Sequence, residues 1–189
     1  MKNRITTLLL SLGCVALCSC TNVLCKRPVG DEPVLLDKAK WNGSWTTSDG
    51  DVIFTRVDDS AKGLVEIASI SLEASEIKME KRVLQIRKTG DWLWASSKKD
   101  GEDTYEFVRV SEPDEQMIYW VPKAAPFIER VRKGELKGSL LKDSEGKETG
   151  TVVLNALSAE NIKDIEAGNW GNVVVWEQPM VFRRLKPAK

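Results

Sequence analysis

The stretch Trp41-Asn42-Gly43-Ser44-Trp45-Thr46-Thr47-Ser48-Asp49-Gly50-Asp51-Val52-Ile53-Phe54-Thr55-Arg56-Val57 sets a pattern that much of the chain repeats. Positions 41, 43 and 45 share one face of a strand, because side chains alternate along a strand. Ser48-Asp49-Gly50 follows as a turn, since Asp and Gly tolerate the positive φ that tight hairpins demand. Val52 to Val57 then reads as the returning strand.

Toward the C-terminus the same alternation of strand and turn continues. Asp58 to Gly63 is a second turn and Leu64 to Ile70 a third strand. Val83 to Arg87 alternates within the mixed segment Ile77 to Lys88. Thr89-Gly90-Asp91 turns into Trp92-Leu93-Trp94-Ala95, Lys99-Asp100-Gly101-Glu102 into Tyr105 to Val110, and Glu112-Pro113-Asp114 into Met117 to Val121. Short strands at regular spacing, separated by Gly, Asp or Pro turns, predict an antiparallel meander sheet closing into a barrel-like domain.

Two short helices interrupt the pattern late in the chain. Over 126–133, Pro126 suits a first helical turn, Phe127 and Val131 lie four apart, and Gly134 closes the segment. Over 159–167, Ser158 is the N-cap, Glu160 sits in the first turn where the helix dipole favours an acid, and Leu157 with Ile162 form a hydrophobic staple. Leu140 and Val152-Val153-Leu154 read as strands around a Glu145-Gly146 turn. Val173 to Trp176 and Met180 to Leu185 read as the last strands. The expected fold is mainly β, a single domain over 41–189, long enough to bury its own core.

Toward the N-terminus the character changes. Lys2 and Arg4 precede an apolar run from Leu8 to Leu17, the length of a secretory h-region and too short to span a bilayer. The run ends in Leu17-Cys18-Ser19-Cys20, which resembles the lipobox of bacterial lipoproteins. That resemblance implies a signal peptide over 1–19, cleavage before Cys20, diacylglycerol on its sulfur, and an acylated N-terminus carrying chains such as palmitate. Cys18 follows the bulky Leu17, and Cys14 has Ser11 where the motif has Leu, so neither competes. Asn22, in place of an inner-membrane retention Asp, favours an outer-membrane address over the cell membrane. Residues 20–40 are expected to be the lipidated cysteine and a tether, with the domain outside the cytoplasm, periplasmic or on the cell surface. Cys25 would be the sole remaining thiol, so no intrachain disulfide is possible; it reads as a linker residue, with intermolecular pairing as the other reading.

Composition removes whole classes of chemistry. The chain has no histidine, which excludes Ser-His-Asp and Cys-His catalysis and the common His-bearing zinc sites. After residues 1–19 the chain holds 26 basic and 28 acidic residues, a net charge of −2, which does not suit nucleic acid. The acidic turns Asp49-Gly50-Asp51, Asp58-Asp59 and Asp100-Gly101-Glu102-Asp103 lack calcium-loop spacing and read as turn chemistry. Lys123, Arg130, Arg132 and Lys133 read as a solvated helix face in preference to a face for anionic lipid heads. No cofactor, metal or catalytic group is expected.

Gly43-x-Trp45 together with Arg183 and Arg184 resembles the lipocalin, or calycin, signature. The resemblance implies that Trp45 closes the barrel floor, that an Arg near the end of the barrel packs across it, and that the first and last strands are neighbours. Arg183 and Arg184 are adjacent, so only one can point inward. The chain departs from that family in its late helices and in lacking a Thr-Asp-Tyr-type motif. Seven tryptophans are many for this length; Trp45, Trp92 and Trp94 are candidates for a ligand pocket or for core, and core is favoured because buried aromatics dominate small β interiors. The leading functional expectation is a non-catalytic envelope lipoprotein that holds a protein partner or a small apolar ligand near the membrane. A structural or assembly lipoprotein with a filled core is the alternative, and a carboxylate-based enzyme the third reading.

Overall fold

The computed structural model describes residues 22–47, 50–73, 76–98 and 101–186. The export segment with Cys14, Cys18 and Cys20, the Ser48-Asp49 half of the first turn, and Lys99-Asp100 lie outside the described residues. In chain order the elements are β1 (Val23–Cys25), β2 (Glu32–Pro33), α1 (Lys38–Trp41), β3 (Gly43–Thr46), β4 (Val52–Asp59), β5 (Leu64–Glu73), β6 (Glu76–Thr89), β7 (Trp92–Lys98), β8 (Tyr105–Val110), β9 (Gln116–Trp120), α2 (Ala124–Arg132), β10 (Gly138–Lys142), β11 (Glu148–Leu154), α3 (Ala159–Glu166) and β12 (Met180–Arg184).

Strands β3 to β9 form an antiparallel meander, and β12 joins its ends by pairing with β3 on one side and β9 on the other. With β8 bonded to β9, an eight-stranded antiparallel barrel closes. The predicted fold class is therefore the observed one, with α2 and α3 as the two late helices. Alternation within β4 shows the mechanism: Ile53, Thr55 and Val57 are buried inside while Phe54 and Arg56 face out. The inward set of Trp45, Ile53, Val57, Val65, Ile86, Met117 and Phe182 forms one cluster.

A second core lies outside the barrel. The outward faces of β7 and β8 contribute Trp94 and Phe107, and β1, β11, α2 and α3 cover them with Cys25, Leu154, Phe127 and Ile162. Strand β11 pairs with β10 and, in parallel, with β1, which extends the sheet from the edge of β8. α3 is fixed by a full capping box: Ser158 accepts from the Asn161 N–H, and the Asn161 side chain accepts from the Ser158 N–H.

Three expectations about elements change. Residues 22–40, expected within a tether, are packed into the fold. Val23, Cys25, Val29 and Leu36 are buried. The Val29 N–H donates to the Ser96 hydroxyl at 3.0 Å, and Val34 N–H to the Ile86 carbonyl at 3.1 Å. This strap crosses the barrel wall instead of running along a strand, so no strand or helix period marks it. Trp41 is not the start of the first strand; it ends α1, whose N-cap Asp37 accepts from the Ala39 N–H. Val173 to Trp176 is not a strand either: it makes one bridge, Val174 to Pro122.

Candidate functional site

Inside the barrel, burial changes from one end to the other. The floor is sealed by Trp41 and Trp45, at 2% and 0% exposure, with Met117 also at 0%. Trp45 Nε1 donates to the Thr55 hydroxyl at 2.8 Å, which satisfies the indole in the apolar interior. Arg184 lies over the Trp45 ring, its guanidinium carbon 4.2 Å from the centroid. Arg183 is exposed and pairs in register with Thr46. Gly43 makes this arrangement possible, because a Cβ there would sit 2.7 Å from Arg184 Nη1.

Toward the opposite end of the barrel, burial of the inward face becomes uneven, with Ser69 on β5 and Ser97 on β7 still buried. Ile67, Leu84 and Val108 belong to the inner set but are only partly buried. Ser97 and Glu106 are cross-strand partners on that face, and Ser97 Oγ is buried without a hydrogen-bond partner among the described residues. Arg82 spans to Glu106 at 3.4 Å and to Glu80 at 3.3 Å. The inward face at this end therefore mixes partly buried apolar side chains with buried Ser69 and Ser97 and with the charged Arg82, Glu80 and Glu106.

Trp92 and Trp94 do not join Trp45. They stand on the outside of the same wall, in the second core, with ring centroids 5.7 Å apart. The register of β7, β8 and β9 places Trp94, Arg109 and Trp120 in one row. Arg109 points out of the barrel, and its guanidinium carbon lies 4.6, 4.5 and 4.9 Å from the rings of Trp92, Trp120 and Trp176. No hydrogen bond or ion pair holds it among the described residues, and its Nε is buried and unsatisfied, as is Trp94 Nε1. Burial pulls the Arg109 pKa below its ordinary value, with Glu166 opposing from α3. Sequence reading missed Arg109, Trp120 and Trp176. The outward parity of Phe107 and Arg109 is legible in the sequence, but their alignment with Trp120 needs the register.

A third feature is a shallow cleft of about 140 Å³ beside α2, lined by Pro126, Glu129, Arg130, Lys133, Glu135 and Trp170. Its charges pair with each other, Arg130 with Glu135 at 2.6 Å and Lys133 with Glu129, and Arg130 also stacks on Trp170. Among the described residues no three metal-ligating side chains cluster, and no helix is long and apolar enough to cross a membrane.

No family model, curated protein or solved structure matches the chain.

Proposed function

We infer that this chain is a lipid-anchored, non-catalytic protein of the cell envelope that holds a small apolar ligand in the upper lumen of its barrel, close to the membrane. The observation that carries the ligand reading is the fall in burial along the inward faces of β6 and β8. On β6, Ile86 is fully buried, Leu84 partly, and Arg82 reaches the rim; on β8, Val110 is buried and Val108 partly. An apolar wall only partly covered, beside a Ser97 Oγ that is buried without a partner among the described residues, suits a molecule with a hydrophobic body and a polar head. The anchor reading rests on the Leu17-Cys18-Ser19-Cys20 motif. The partner remains the membrane through acylated Cys20, and lipocalin-like closure by Trp45 and Arg184 supports a barrel with a sealed floor and a working mouth.

Binding of a fluorescent fatty acid tests the lumen. The wild type should bind it, and Leu84→Trp and Val108→Trp should fill this end of the lumen and weaken binding by about tenfold or more, a difference of about 1.4 kcal/mol. Absence of binding by a folded wild type would favour the structural reading with no ligand cavity. Cell fractionation tests the anchor separately: Cys20→Ser should move the protein from the membrane to the soluble fraction.

A further inference from the structure

The lumen gives no role to the Arg109 cluster, which lies on the other side of the wall. Three properties need an explanation together. Its guanidinium lacks an ionic partner within bonding distance among the described residues. Three rings, of Trp92, Trp120 and Trp176, surround it at 4.5–4.9 Å and its Nε is buried, so its terminal nitrogens are what is left to meet an acceptor. Trp176 remains 40% exposed, and Trp92 and Trp120 are only partly buried.

The register adds a fourth, independent observation. One edge of β8 is shared: Tyr105 and Glu106 pair with β1, while Arg109 and Val110 pair with β9. Continuing the β1 register brings Val23 opposite Phe107, two residues from Arg109. The first described residue is Asn22, whose carbonyl accepts the Val152 N–H at 2.9 Å. Cys20 is two residues before it, a reach of at most about 7 Å. From Asn22 onward the strap is packed down, so the described chain begins beside this wall.

We propose that the outer wall carrying Trp92, Trp120, Trp176 and Arg109 docks on a zwitterionic phospholipid surface. Tryptophan is suited to the membrane–water interface because its ring is apolar and its N–H is polar. The terminal nitrogens of Arg109 meet a headgroup phosphate. Glu166, which accepts from the Asp91 N–H and opposes the pKa shift of Arg109, faces the headgroup ammonium, while Glu177, next to Trp176, is paired with Lys123 at 3.7 Å; two acids against Arg109 and Lys123 leave this wall without net charge, which suits a zwitterionic surface better than a purely anionic one. The orientation relative to Cys20 rests on the anchor reading, but the surface itself does not.

The test uses the chain from residue 20 with Cys20→Ser, which carries every described residue, and vesicles of phosphatidylcholine and phosphatidylethanolamine. Vesicles should cosediment the protein and shift its tryptophan emission to the blue. Trp176→Ala, a change at a partly exposed site, should weaken partitioning by about fivefold or more, since interfacial binding scales with buried apolar area. Arg109→Gln should do the same, and Phe54→Ser on the β4 wall should not. Loss of binding in Phe54→Ser with retention in Trp176→Ala would overturn the assignment, as would no partitioning of the wild type. The same emission shift with inorganic phosphate alone would show a soluble-anion site and overturn docking. Failure of fractionation with Cys20→Ser would strike the anchor reading and leave vesicle binding untouched.

Discussion

Arg184 lies across the indole of Trp45, and the two are direct cross-strand partners of β12 and β3. The same guanidinium donates from Nη1 to the Asn42 carbonyl at 2.8 Å, from Nη2 to the Lys40 carbonyl, and from Nε to the Asp114 carbonyl at 3.1 Å. One side chain therefore ties the last strand to the end of α1 and to the β8–β9 turn. It closes the ring where the sequence-distant ends of the barrel meet.

Truncation should rank the parts of this closure. Trp45→Ala removes a fully buried ring and should cost on the order of 3–5 kcal/mol in urea unfolding. Arg184→Ala should cost about 1–2 kcal/mol, the range of a partly desolvated cation–π contact. Arg183→Ala should stay within about 0.5 kcal/mol, because that side chain is exposed. A double-mutant cycle should give a coupling of at least about 0.5 kcal/mol for Trp45 with Arg184 and none for Trp45 with Arg183. Equal coupling to both arginines would contradict the geometry.

Gly43 offers a second handle on the same contact. Its φ is not in the left-handed region, so the backbone accepts Ala; the obstacle is Arg184 Nη1 at 2.7 Å from the new Cβ. Gly43→Ala should push the guanidinium off Asn42 and cost about as much as Arg184→Ala, about 1–2 kcal/mol. In an Arg184→Ala background it should be nearly silent. Additive costs would show that the glycine serves something other than the arginine.

The cap of α3 makes a local test. Ser158 and Asn161 satisfy each other's backbone N–H groups at 3.1 Å. Ser158→Ala should lower stability by about 1 kcal/mol, and Ser158→Asp by much less, since Asp is an equally good cap. Thermal unfolding resolves the difference. Equal losses in both variants would mean that the hydroxyl acts through another contact.

Turns and caps were legible because each has a local chemical cause. Gly63, Gly90 and Gly146 all adopt positive φ at turns read from the sequence, and Tyr105–Val110 has the predicted bounds. α2 begins two residues before the expected 126, and α3 ends one residue before the expected 167. The strap was not legible. Its stability comes from contacts far along the chain, such as Arg87 Nε donating to the Gly30 carbonyl at 2.8 Å across a glycine that leaves no room for a Cβ. The division of the tryptophans was half legible. Alternation puts Trp92 and Trp94 on one face together, but whether that face is lumen or outer wall depends on closure by β12 and on the layer of α2, α3 and β11 outside. The Arg109 cluster was the least visible, since Trp176 reaches it from a loop that has no strand period.

Alkaline pH should expose two buried groups in sequence. Cys25 is fully buried, and desolvation pushes its thiol pKa up; Tyr119 is buried with its hydroxyl donating to Met117 Sδ at 3.2 Å, and desolvation raises its pKa as well. Both groups therefore hold their proton more tightly in the folded state. Below their ordinary values, about 8.5 for Cys and about 10 for Tyr, folded and unfolded chains are equally protonated and stability is unaffected. Above those values the unfolded chain ionises first, so stability is lost as pH rises, by up to about 1.4 kcal/mol per pH unit for each group. In the Cys20→Ser protein that starts at residue 20, Cys25 is the only thiol. Denaturation midpoints from pH 7 to 11 should fall in two stages, and Cys25→Ala should remove the first while Tyr119→Phe removes the second. A thiol reagent at pH 8 should label Cys25 only at the rate of unfolding. Fast labelling in the native state would show that β1 opens freely and that residues 22–40 behave as a tether after all.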